Sequence, residues 1–128
     1  MLLSQITVHE PFRITGEQID GGIKYDGHYY LIELKWTQDK ADPKEIGSFF
    51  FKVDGKLDAR GIMISMNGYT SGVIESLPRG KELKVFLLDG VHLTNVISGL
   101  YSFKELLEHA ISQASLKANL YCSRDLST

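Results

Sequence analysis

The stretch Gly16-Glu17-Gln18-Ile19-Asp20-Gly21-Gly22-Ile23-Lys24-Tyr25-Asp26-Gly27-His28-Tyr29-Tyr30-Leu31-Ile32-Glu33-Leu34-Lys35-Trp36 decides how this chain folds. Asp26-Gly27 sits between two apolar-patterned runs. A two-residue type I′ turn needs positive φ at both central positions, which Asp and Gly tolerate. If Tyr25 faces His28 across the turn, antiparallel pairing places Asp20 opposite Glu33, Gln18 opposite Lys35 and Ile19 opposite Leu34. Side chains alternate along a strand, so Glu33 and Lys35 share a face with Asp20 and Gln18, while Ile32, Leu34 and Trp36 point the other way. Two carboxylates directly opposite each other, with Cβ atoms about 5 Å apart, repel unless something positive lies between them. A divalent cation would meet that need. A bulge at Gly21-Gly22 is the local feature able to shift this register by one residue.

Working outward, the hairpin is expected over about Phe12 to Ile23 and His28 to Trp36, with the dozen residues before Phe12 extended. Asp42-Pro43-Lys44-Glu45 reads as a helix start, with a cap, a proline at the first position and an acid at the third. Ile46, Phe49, Phe50, Val53 and Leu57 then repeat at helical spacing. Gly61 to Met66 and Leu83 to Leu88 read as buried strands. Between them Thr70 caps a short helix that Pro78 and Gly80 end. Nearly continuous apolar strands separated by helices imply parallel pairs joined by right-handed crossovers. Ser102-Phe103-Lys104-Glu105 is a capping box for a last helix that packs through Leu106, Leu107, Ala110, Ile111 and Ala114, reaching towards Ala118. The expected fold class is α/β, a mixed central sheet flanked by helices.

The 128 residues suit one domain over 1–128, and 43% hydrophobic content is enough for a core. A net charge of −2 and a pI near 6.1 supply no global basic field, so contact with nucleic acid has to come from local patches or a bound metal. One cysteine, Cys122, leaves no internal disulfide and no thiolate cluster for zinc, which fits a cytoplasmic setting. No uninterrupted apolar run approaches the roughly 20 residues that cross a bilayer, so no membrane partner is expected.

Mg²⁺ or Mn²⁺ takes oxygen ligands and keeps several waters, so Asp20 and Glu33 form a sensible pair of metal ligands. A metal acidifies bound water and neutralises a phosphate oxygen, and Lys35, one pleat along, suits stabilisation of the transition state. Gln18 opposite Lys35 could orient the lysine or an attacking water.

These residues resemble a family. Gln18-Ile19-Asp20-Gly21, then Ile32-Glu33-Leu34-Lys35-Trp36, the capped helix, and Arg60-Gly61-Ile62-Met63-Ile64-Ser65 look like the PD-(D/E)XK nuclease superfamily, nearest its Mrr-type restriction endonuclease branch. The resemblance spans roughly Gly16 to Leu88. It implies a restriction-endonuclease-like α/β/α core, Asp20 and Glu33 as metal ligands together with the backbone carbonyl of Leu34, and Lys35 as the catalytic lysine. Ile19 stands where the family's name-giving proline would be. The N-terminal helix usual in the family has no counterpart before Phe12, so the expectation is a domain cut from a longer protein, with the C-terminal position as one option.

Other features read more plainly. His9, His28, His92 and His109 lack metal-ligand spacing, and Cys122 has no histidine near it in sequence, so these are assigned no chemistry. The loop Met66-Asn67-Gly68-Tyr69-Thr70 could offer helix amides to a phosphate but more simply caps a helix. Lys52 and Lys56, one turn apart, could touch a DNA backbone or simply face water. Of Phe49-Phe50-Phe51, one ring is expected to be left exposed. The leading expectation is a Mg²⁺-dependent deoxyribonuclease acting on DNA, in a restriction or defence system. Its rival is an inactive nuclease-fold module for DNA binding or dimerisation, and a homodimer is compatible with either. A nucleotide-binding domain ranks last, for want of a glycine-rich phosphate loop.

Overall fold

The structure is a computed structural model that describes residues 6–76 and 84–127. Five strands form one mixed sheet in sequence order: β1 (Ile6–Thr15), β2 (Gln18–Tyr25), β3 (His28–Lys35), β4 (Ala59–Ser65) and β5 (Val85–Asp89). The first three are antiparallel, and β3, β4 and β5 run parallel. Helix α1 (Pro43–Asp54) connects β3 to β4, α2 (Ser71–Ser76) lies between β4 and β5, and α3 (Gly90–Ile97) and α4 (Phe103–Lys117) follow. Past α4, Tyr121 bridges to Leu87 and extends the sheet beyond β5.

The hairpin forms about Asp26 and Gly27, both at positive φ, and β2 pairs with β3 without interruption from Gln18↔Lys35 to Tyr25↔His28. Gly21-Gly22 carries no shift in that ladder. The irregularities lie on the other side, in β1 between Val8 and Glu10 and between Glu10 and Arg13. One expectation fails here. Phe12 to Ile23 is not a single strand, because Gly16 at φ +59° turns the chain and pairs Thr15 with Gln18. Lacking the Asx-Gly signature, that turn is inconspicuous in the sequence. It makes a three-stranded meander, and the ring of Phe12 lies over Gly21, where a Cβ would come within 2.1 Å of it.

Alternation divides the core. On one face Phe49 and Val53 of α1 and Val73 of α2 pack with Met63, Val85 and Leu87. On the other, Leu106, Leu107 and Ala110 of α4 cover Ile32, Ile62 and Phe86. Fully burying each large apolar side chain contributes about 1.5–3 kcal/mol. Helix α1 starts as its sequence implies: Asp42 accepts from the Glu45 amide, Glu45 returns a bond to the Asp42 amide, and Pro43 opens the first turn. It ends at Asp54, so Leu57 falls outside the helix and is 95% exposed. Phe49 is core and Phe51 is 82% exposed. Ser102 and Glu105 form the expected box on α4, which stops with Ala118 in the left-handed region.

Thr70 accepts from the Val73 amide at the start of α2, while Tyr69 is buried and donates to the Met63 and Leu88 carbonyls, so that loop is a cap and a core plug. Pro78 and Gly80, expected to end this helix, Leu83, expected to open a strand, and residues 1–5 of the segment expected to be extended lie outside the described residues. Helix α3 was not anticipated. Its cap is Asp89, whose Oδ1 accepts from the Val91 and His92 amides at 2.8 and 3.1 Å.

Candidate active site

Asp20 and Glu33 are direct cross-strand partners, as are Gln18 and Lys35. All four side chains lie on the face that α1 covers. Phe49 and Val53 anchor α1 on β4, their side chains closing over Gly61, and this carries Glu45 and Lys52 across β3. Lys52 donates to Glu33 Oε1 at 3.0 Å. Lys35 Nζ lies 3.8 Å from Glu33 Oε2 and forms a short charged bond with Glu45. Glu33 is only 4% exposed, which few carboxylates tolerate without charged partners. Lys52, Glu33, Lys35 and Glu45 thus form a chain of alternating charge linking β3 to α1.

Gln18 does something other than expected. Although it stands opposite Lys35, its amide donates to Asp20 Oδ1 at 2.8 Å, so it holds the carboxylate rather than the lysine. Leu34 lies between Glu33 and Lys35 in an interior strand, paired to Ile19 on one side and Ile64 on the other.

Two grooves meet at Glu33. The first, about 410 Å³, runs between β1 and the C-terminal part of α1 and includes Arg13, Thr15, Asp20, Lys52 and Lys56. Arg13 is the β1 partner of Asp20. The second, about 440 Å³, lies towards the start of α1 and includes Gln18, Lys35, Asp42, Lys44 and Glu45.

Among the described residues no three His, Cys, Asp or Glu side chains gather as a metal site. Two opposed carboxylates on one face, flanked by a groove, still match a hard cation that retains most of its water. The donor set is all oxygen and suits Mg²⁺ or Mn²⁺ rather than a soft metal.

Glu45 and Lys52 were the participants sequence reasoning did not place. The capping box at Asp42 already fixed where Glu45 sits on the first turn of α1, but which way that turn faces depends on the crossover. The spacing of Lys52 and Lys56 suits a DNA-backbone contact or a water-facing pair, and nothing in it points to Glu33.

A second polar cluster lies at the far end of the sheet. Asp89 and His92 are buried. Asp89 Oδ2 accepts from Arg124 Nε and Nη2 at 2.9 and 2.6 Å and makes a short bond to the Tyr121 hydroxyl. Burial opposes the Asp89 charge, but the hydrogen bonds from His92, Arg124 and Tyr121 outweigh it and hold the carboxyl well below its usual range. Burial likewise opposes the charged form of His92, yet Asp89 and Cys122 raise its pKa to about 9. His92 Nε2 lies 3.1 Å from the Cys122 carbonyl. The cluster ties the segment after α4 to β5 and α3. Cys122 is buried, as a core thiol should be. Of the other histidines, His28 is exposed beside the turn and His109 contacts Ser123, while the side chain of His9 lies outside the described residues.

No protein-family profile matches the chain, and neither do curated proteins or solved structures.

Proposed function

We infer that this domain is a metal-dependent DNA endonuclease that hydrolyses phosphodiester bonds, working in the cytoplasm as part of a restriction or defence system. The observation carrying the reading is the register: Asp20, Glu33 and Lys35 come from two strands onto one face beside a groove that also holds Arg13 and Lys56. Asp20, Glu33 and the carbonyl of Leu34 would hold Mg²⁺ or Mn²⁺. When bound, the cation supplies charge neutralisation at a phosphate oxygen and acidification of water. The protein's own residues do the rest. Gln18 keeps the Asp20 carboxylate oriented. Lys35, tethered by Glu45, presents an ammonium where negative charge grows on the phosphorane, an interaction worth most in the transition state. Incubation with supercoiled plasmid tests the reading. Nicked and linear products with Mg²⁺ or Mn²⁺, and none with chelator, are expected; intact plasmid under every metal condition would refute it.

One observation favours a second reading, a catalytically silent module for DNA binding or dimerisation. Glu33 is already paired with Lys52 and approached by Lys35, and Lys35 with Glu45, so the network is satisfied internally as a strut between sheet and helix. No helix among the described residues is long and apolar enough to cross a membrane. Retained DNA binding without cleavage would select this alternative.

A further inference from the structure

We propose that the groove between β1 and the end of α1 is the DNA track, with Arg13 and Lys56 gripping backbone phosphates beside the Asp20 and Glu33 carboxylates. The inference deepens the nuclease reading and rests on it for the meaning of those carboxylates. Two grooves leave Glu33, and charge decides between them. The first groove holds three cations, Arg13, Lys52 and Lys56, against two anions, Asp20 and Glu33. The second holds three of each: Lys35, Lys44 and Lys52 against Glu33, Asp42 and Glu45. A polyanion is therefore drawn into the first.

The surplus there is also uncommitted. Lys52 is bound to Glu33 at 3.0 Å, and Asp20 takes a hydrogen bond from Gln18. Arg13 and Lys56 form no ion pair with any described residue. In the second groove Lys35 and Asp42 are both engaged, the first by Glu45 and the second by its capping bond.

Geometry sets the two cations on opposite walls. Arg13 stands directly across β1 and β2 from Asp20, on the same face, at about 5 Å between Cβ atoms. Lys56 follows the C-cap of α1, its amide bonded to the Val53 carbonyl, so it stays beside Lys52 above the groove. A phosphate over the carboxylate pair then has one cation on each side. Arginine suits the strand wall, because its planar fork can bind a phosphate through two donors.

Anisotropy of a short fluorescein-labelled DNA duplex, and separately of one of its strands, tests this with the full 128-residue chain. The parent protein carries Lys35→Ala, so that binding is read in Mg²⁺ without cleavage. Affinity is followed as salt rises from about 50 to about 200 mM; each phosphate contact contributes a slope of about 0.9 on duplex, or about a 3.5-fold loss over that range. Arg13→Ala and Lys56→Ala should each remove about one such contact. Lys44→Ala in the second groove should remove none, and Arg13→Lys should keep most of the slope. Arg13 and Lys56 are exposed, and an unchanged melting temperature shows that each variant is folded. Unchanged slopes in Arg13→Ala and Lys56→Ala, an equal loss in Lys44→Ala, or no salt-dependent binding by the parent would each overturn the track. Slopes that depend on Arg13 and Lys56 while the unsubstituted protein cuts nothing would uphold the track and defeat the nuclease reading. Cleavage with unchanged slopes would do the reverse.

Discussion

Glu45 does two jobs that one pair of substitutions can separate. One carboxylate oxygen accepts from the Asp42 amide at 3.2 Å and closes the capping box of α1, while the other binds Lys35. Glu45→Gln keeps an oxygen for the cap but removes the charge that tethers Lys35; Glu45→Ala removes both. A hydrogen bond to a charged group is worth about 1.5–3 kcal/mol. Here the side chains are 16% and 32% exposed, so water returns part of that and about 1 kcal/mol remains. Loss of the reciprocal bond from the Asp42 amide costs about 1 kcal/mol more. For a domain of this size 1 kcal/mol moves the melting temperature by about 4 °C, so we expect falls of about 4 °C for Glu45→Gln and about 8 °C for Glu45→Ala. Without its tether Lys35 Nζ is free to close on Glu33 Oε2, 3.8 Å away, and leave the position it needs in the transition state. Plasmid cleavage should drop about tenfold or more in both variants, corresponding to about 1.4 kcal/mol. The measurements are thermal denaturation and initial cleavage rates. Equal melting losses in the two variants would refute the separate capping role, and a wild-type rate in Glu45→Gln would refute the positioning of Lys35.

Other outcomes follow from the same structure. Mg²⁺ or Mn²⁺ should raise the melting temperature by mass action, and both Asp20→Asn and Glu33→Gln should blunt that rise; an undiminished shift in both would place the metal elsewhere. His92 has its pKa raised from 6.5 to about 9, so its contribution to stability is complete below about pH 6.5 and is lost as pH rises through about 9. Denaturant unfolding should show that decline, and His92→Gln should lack it; parallel profiles would contradict the assignment. Gly90→Ala should destabilise by more than about 2 kcal/mol, because its Cβ would fall 2.3 Å from the Met66 carbonyl oxygen, which is backbone and cannot swing aside. A change within about 0.5 kcal/mol in denaturant titration would show that β4 and α3 approach less closely.

What could be read in advance was local. Asp26-Gly27 fixes a turn, the turn fixes a register, and the register brings Asp20 to Glu33 and Gln18 to Lys35 before any tertiary contact is known. The two capping boxes at Asp42 and Ser102 are likewise written within four residues each. The turn at Gly16-Glu17 escaped because only one glycine marks it, and helix α3 escaped because Asp89-Gly90 reads equally well as a strand end. Charge pairing across elements was not legible. Lys52 reaches Glu33 and Glu45 reaches Lys35 because Phe49 and Val53 seat α1 against Gly61, a packing result with no signature in the spacing of charges. The Asp89 and His92 cluster shows the same limit, since Tyr121 and Arg124 reach Asp89, and the Cys122 carbonyl reaches His92, only when the segment after α4 returns to the edge of the sheet.

The most direct test is plasmid cleavage by Lys35→Ala beside the unsubstituted protein, using preparations whose metal-induced rise in melting temperature has been matched. Lys35 approaches the proposed metal ligands through an ammonium 3.8 Å from Glu33 Oε2, and its contribution is assigned to the transition state, so cleavage should be almost abolished while metal stabilisation and DNA affinity persist. Arginine at this position should restore little, because its planar fork cannot reproduce a compact ammonium there. Cleavage by Lys35→Ala at the unsubstituted rate would reduce the lysine to an ion-pair partner of Glu45 and contradict the assignment of this face as a nuclease site.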